Sequence, residues 1–111
     1  MDTIKSNNTL VFFISDNPHI NHISTVLSRL EPYKDVCITS DKEVFLEGYA
    51  NIPLFYLKFC SVDIVFFTVE SYLEHRDTFA PDKTILALTS SEYMENSIDP
   101  RNLSVKKIIE L

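Results

Sequence analysis

The sequence predicts a three-layer α/β domain, a doubly wound parallel sheet of four or five strands with helices on both faces. Three observations predict it. Continuous apolar runs recur along the chain: TLVFFI at 9–14, DIVFFT at 63–68 and TILALT at 84–89. Strands that are apolar without alternation are those covered on both faces, as parallel strands are. The stretch after the first run carries apolar residues at helical spacing with prolines at its borders. The 111 residues, 45% hydrophobic and 12% aromatic, suffice for one packed domain and not for two.

Each element follows in order. Residues 1–8 are polar and include Asp2, which suits a flexible leader and does not suit a secretory signal; the single domain spans 9–111. After the first strand comes Ser15-Asp16-Asn17-Pro18. Asn17 suits a helix cap, and Pro18 at the first helical position loses no hydrogen bond. Ile20, Ile23, Val26, Leu27 and Leu30 then form one apolar stripe that Glu31-Pro32 terminates. DVCIT at 35–39 reads as a second, shorter strand. The stretch 40–61 has no firm period, although Pro53 can open a short helix carrying Leu54, Phe55, Leu57 and Phe59. The run at 63–68 is the third strand, 70–79 is helical and stops before Pro81, and 84–89 is the fourth strand. The last segment has two readings. VKKIIEL at 105–111 is a fifth strand, or Asp99 caps a helix with Pro100 at its first position; the strand is preferred. Strands alternating with helices imply parallel pairing through right-handed crossovers.

Composition narrows function. The net charge of −6, with the basic residues scattered, argues against nucleic-acid contact. No apolar run approaches the roughly 20 residues of a membrane span. Cys37 and Cys60 sit beside apolar neighbours without CxxC spacing, which suits buried free thiols in a cytoplasmic protein. No GxGxxG, GxxxxGK[ST] or GxSxG segment is present, so a nucleotide-phosphate cradle and a nucleophile elbow are not expected.

The run VFFISDNPHINHISTVLSRL resembles the opening of a bacterial response-regulator receiver domain, in which an apolar strand leads into an acidic pair and an amphipathic helix. DIVFFT resembles that family's third strand, which ends on the phosphoacceptor aspartate, and ILALTSS its fourth, which ends on a switch Thr or Ser. The resemblance runs from about Thr9 onward and implies the flavodoxin-like fold. Residue by residue, the chemistry is lost. Asp16 matches the second acid of the pair, Ser15 stands where the first would be, Thr68 replaces the phosphoacceptor, and Thr89 matches the switch hydroxyl. The family's lysine has no counterpart; on the helix reading of the last segment, Ser97 takes its place. The chain has one glycine, Gly48, and lacks the Pro and Gly usual after the acceptor strand. A receiver would also continue into one more helix beyond Leu111, which implies a shortened variant or part of a longer regulator.

Acyl-phosphate chemistry needs a carboxylate nucleophile, Mg²⁺ held by hard oxygens, and a cation for the transferred charge. A threonine hydroxyl without a base is a poor nucleophile near neutral pH. The resemblance therefore implies a pseudo-receiver with no catalytic residue, metal or cofactor. Ser15, Asp16, Thr68 and Thr89 would form a degenerate phosphorylation pocket. Asp16, Thr68 and Thr89 also have purely structural readings, as turn and strand-end residues.

The sequence holds two other constellations. His19 and His22 have metal-ligand spacing, but without a third ligand nearby they read as a solvated helix face; His75 reads as exposed. Phe45, Tyr49, Phe55, Tyr56 and Phe59 read as core, or else as an apolar patch for a partner, with Leu54, Phe55, Lys58 and Phe59 together on a helix. The expected function is a non-enzymatic, cytoplasmic regulatory module that acts through a protein partner or a homodimer, as part of a two-component signalling or transcription regulator. The rivals are an active phosphoacceptor using Asp63, which begins its strand at the wrong end, and a Rossmann-like small-ligand binder.

Overall fold

A computed structural model of the protein describes residues 9–41, 48–95 and 103–111. The strands are β1 (Thr9–Phe13), β2 (Asp35–Thr39), β3 (Ala50–Asn51), β4 (Asp63–Phe66), β5 (Thr84–Leu88) and β6 (Lys107–Glu110). They form one sheet in the order β3-β2-β1-β4-β5-β6, and every pairing is parallel. The α/β parallel sheet predicted from the apolar runs is thus present, with six strands where four or five were expected. The additional strand is β3, two exposed residues whose pairing with Cys37 and Ile38 is extended by Ile52 N donating to Ile38 O at 2.9 Å. Without β3 the longer strands run 2-1-3-4-5, the flavodoxin-like order; with it they run 3-2-1-4-5-6, the order of dinucleotide-binding folds.

The strands are uniformly apolar because successive side chains feed opposite layers. Val11, Phe13, Ile64, Phe66, Leu86 and Leu88 point into one layer, closed by Leu57, Val69 and Tyr72. Leu10, Phe12, Ile14, Val65, Phe67, Ile85 and Ala87 point into the other, closed by Ile23 and Val26. Phe12, Phe13 and Phe66 are fully buried, and each contributes about 1.5–3 kcal/mol by leaving water.

The helices depart from the sequence reading in detail. A 3₁₀ turn, Asn17–His22, replaces the first turns of the expected helix, and α1 is only Ile23–Ser28. His19 N bonds Asp16 O three residues back, at 3.1 Å, which winds the segment tighter than an α-helix. The other helices among the described residues are α2 (Leu54–Leu57), led in by Pro53, α3 (Val69–His75), which ends short of the expected Phe79, a 3₁₀ turn at Pro81–Lys83, and α4 (Ser90–Glu95), which the sequence did not predict. The strand reading of the last segment holds in β6. The leader at 1–8, Phe45, Ser97, and the alternative helix start at Asp99 and Pro100 lie outside the described residues, as does the Asn17 side chain. Among the described residues, no helix is long and apolar enough to cross a membrane.

The amino ends of the strands are tied by a polar cluster. Asp63, at the start of β4, has a side chain only 6% exposed. Its Oδ2 accepts from Tyr33 OH at 2.6 Å and from Lys106 Nζ at 2.8 Å. Burial, and then the bond to Asp63, push the Tyr33 phenol far above its ordinary range. Arg29 Nη1 donates to Glu110 O, and Lys107 Nζ donates to Arg29 O, so the end of α1 is held against β6.

Candidate functional site

At the opposite end of the sheet, the chain leaves β1 toward β2 on one side while β4 lies on the other. Open α/β sheets bind ligands in the crevice beyond such a switch point. A cleft of about 330 Å³ lies here. Ser15 and Asp16 enter it from the turn after β1. That turn is pinned to β2, because Ile14 N donates to Thr39 O at 2.9 Å and Ser40 Oγ donates to Ile14 O at 2.6 Å. Thr68, Glu70, Ser71 and Glu74 enter from the start and body of α3, and Asp41 from the segment after β2.

The Thr68 hydroxyl is committed to structure. It caps α3, with Oγ1 accepting from Ser71 N at 3.0 Å and donating to Ser71 Oγ at 2.9 Å. A cap of this kind is worth about 1 kcal/mol. Thr89 does not line the cleft. Its Oγ1 shares a hydrogen bond of 2.9 Å with Ser91 Oγ at the start of α4. Ser15, Asp16 and Thr68 therefore line one cleft, and Thr89 stands apart. Glu92 escaped the sequence reading. Its Oε1 accepts from Val69 N at 2.9 Å, supplying one of the unpaired N–H groups that begin α3. The signal was present in Thr89-Ser90-Ser91-Glu92, a capping-box pattern, but the carboxylate reaches across to the neighbouring helix.

The histidines are corrections. His19 stacks on Phe67 with ring centroids 5.1 Å apart, and Phe67 stacks on Phe12 at 5.8 Å. His22 tilts against the same Phe67 ring at 6.2 Å. In a 3₁₀ turn, residues three apart eclipse one another, so both imidazoles fall on the sheet side rather than on a solvated face. Burial pushes the His19 pKa below its ordinary value, against an opposing pull from Asp16. His75, expected to be exposed, is packed on Phe13 at 4.9 Å and parallel to Phe66 at 6.3 Å. The last turn of α3 lies over that sheet layer, which the polarity of its neighbours in sequence conceals.

Four carboxylates line the cleft, Asp16, Asp41, Glu70 and Glu74, and no Lys or Arg does so among the described residues. This field repels free phosphate and draws cations.

A second feature lies on α2 and the residue pair after it. Phe55, Tyr56 and Phe59 are 73%, 55% and 76% exposed, and Lys58 Nζ stands 5.2 Å over the Phe59 ring. Leu54 is half-buried against the core, so it leaves the quartet read from helical spacing, and Tyr56 takes its place. A four-residue helix has too little length to present one regular face. Cys37 is buried with its thiol pKa raised by burial, whereas Cys60, expected buried, is half-buried and its Sγ lies 3.6 Å from Tyr56 O.

No family model, curated protein or solved structure matches the chain.

Proposed function

We propose that the protein is a receiver-like regulatory module that works through protein contact and not by phosphoryl transfer. The observation that carries this reading is the exposure of Phe55 and Tyr56 on α2 and of Phe59 just after it. Large aromatic side chains supply most of the anchoring energy at protein interfaces. The cleft supports the second half of the reading. The hydroxyl standing where an acceptor carboxylate would be is spent on a helix cap, and among the described residues no Lys or Arg lines the site to hold a transferred phosphoryl group. The partner is a second copy of the chain, or another protein of a cytoplasmic signalling or transcription regulator.

Sedimentation velocity over a concentration series tests the contact reading. The wild type self-associates, and the double substitution F55S/F59S sediments as a monomer with unchanged thermal stability. A wild type that stays monomeric throughout and takes up phosphate from acetyl phosphate with Mg²⁺ reverses the proposal. One observation favours a second reading, a small-ligand binder: the cleft sits at the switch point of a sheet ordered 3-2-1-4-5-6. A thermal-shift screen separates the two, because a ligand at about 100 times its dissociation constant stabilises by about 2.7 kcal/mol.

A further inference from the structure

Two of the cleft's lining residues, Asp41 and Glu74, belong with His75 to a cluster that neither the contact reading nor the receiver resemblance uses. One donor atom each from Asp41, Glu74 and His75 lies within 4.8 Å of the other two. Asp41 and Glu74 are exposed, and the His75 side chain is 17% exposed. The His75 Nε2 atom is itself buried and has no hydrogen-bond partner, although Glu74 Oε1 stands 3.1 Å away. A buried ring nitrogen and a carboxylate oxygen that stand this close without a hydrogen bond between them are placed as two ligands of one ion would be.

We propose that Asp41, Glu74 and His75 bind one divalent transition-metal ion of the zinc type. The imidazole selects the class of ion, because Mg²⁺ and Ca²⁺ take oxygen ligands whereas Zn²⁺ accepts nitrogen and carboxylate together. Two carboxylates and a neutral imidazole also match the charge of a divalent ion. The ring is the fixed member, held between Phe13 and Phe66. Tetrahedral donors around zinc stand ~3.4 Å apart, given bonds of ~2.1 Å. With donors within 4.8 Å of one another, closing the cluster asks for a movement of at most ~1.4 Å, which two exposed carboxylates make by ordinary rotamer changes. Water takes the fourth position. Asp16 and Glu70, on the same cleft, raise the local concentration of cations without being ligands. The bound ion fastens the segment after β2 to the last turn of α3. This site is independent of the aromatic surface on α2 and stands or falls without it.

Isothermal titration of the untagged full chain with ZnCl₂ is the test, with MgCl₂ run alongside. One Zn²⁺ binds per chain and Mg²⁺ gives no saturable heat. Asp41→Asn and Glu74→Gln, both at exposed positions that leave the core untouched, each weaken binding by at least about tenfold. Cys60→Ser and His19→Gln leave the affinity unchanged. The proposal is overturned by the absence of one-to-one Zn²⁺ binding, by an affinity indifferent to D41N and E74Q, or by binding that is lost instead in C60S or H19Q.

Discussion

Removing Lys106 exposes how the amino end of the sheet is held together. In Lys106→Met the methylene stem keeps its packing, but the Asp63 carboxylate loses its cation and retains only the Tyr33 hydroxyl. Breaking a fully buried pair costs about 3–5 kcal/mol, because one charge stays behind without compensation. Here Asp63 is 6% exposed but Lys106 is 46% exposed, so water already shares the ammonium and the pair is worth less than a buried one. We therefore expect a loss of about 2 kcal/mol, between the buried and exposed limits. For a domain of this length that lowers the melting temperature by roughly 10 °C. Tyr33→Phe removes a bond to a charged acceptor at the same oxygen and costs about 1.5 kcal/mol. The two effects are not additive, since both donors serve Oδ2. The control that isolates charge is D63N/K106M: a neutral amide needs no counter-ion, so most of the loss in K106M is recovered. Urea denaturation at constant m reads all four proteins. If K106M stays within about 0.5 kcal/mol of the wild type, Asp63 is not the buried, cation-dependent charge described above.

Three further outcomes follow from particular side chains. Thr39 is fully buried at the end of β2 and its Oγ1 has no hydrogen-bond partner, so Thr39→Val stabilises the fold by about 1 kcal/mol; a loss of that size in urea melts contradicts the orphaned hydroxyl. Thr68→Ala loses the cap of α3 and about 1 kcal/mol, whereas Thr68→Asn retains most of it, and equal melts for the two variants would refute the capping role. For His19, burial holds the folded pKa below 6.5, so below that pH the unfolded chain takes up the proton first. Its contribution is complete above the unfolded pKa and shrinks as pH falls toward the folded value. His19→Gln abolishes that slope, and a wild-type-minus-variant stability curve that is flat between about pH 5 and 7 rules the argument out.

The strands were legible because burial on both faces needs no periodicity. An uninterrupted apolar run such as 9–14 or 84–89 has few other uses in a domain this small. The same local logic placed Ser15, Asp16, Thr68 and Thr89 at the carboxyl ends of strands, which in a parallel sheet all lie at one end. β3 was not legible, since Ala50 and Asn51 have no strand signature and pair only because β2 offers an open edge. The first helix was misread at its start, where the i→i+3 bond from His19 to Asp16 overrode the α-helical spacing of the apolar stripe.

The sequence by itself determined the layered α/β class, the parallel pairing and the hydroxyl of Thr68 just after β4, because each depends on a residue and its near neighbours. Only the tertiary structure decided which side chains meet. Phe67 packs on His19 and His22, the Phe13 and Phe66 rings pack on His75 beside Asp41 and Glu74, and the short α2 with the turn after it leaves Phe55, Tyr56 and Phe59 in water. Those contacts join segments far apart in the chain. They are set by strand order and by where helices end, and no local pattern of residues encodes either.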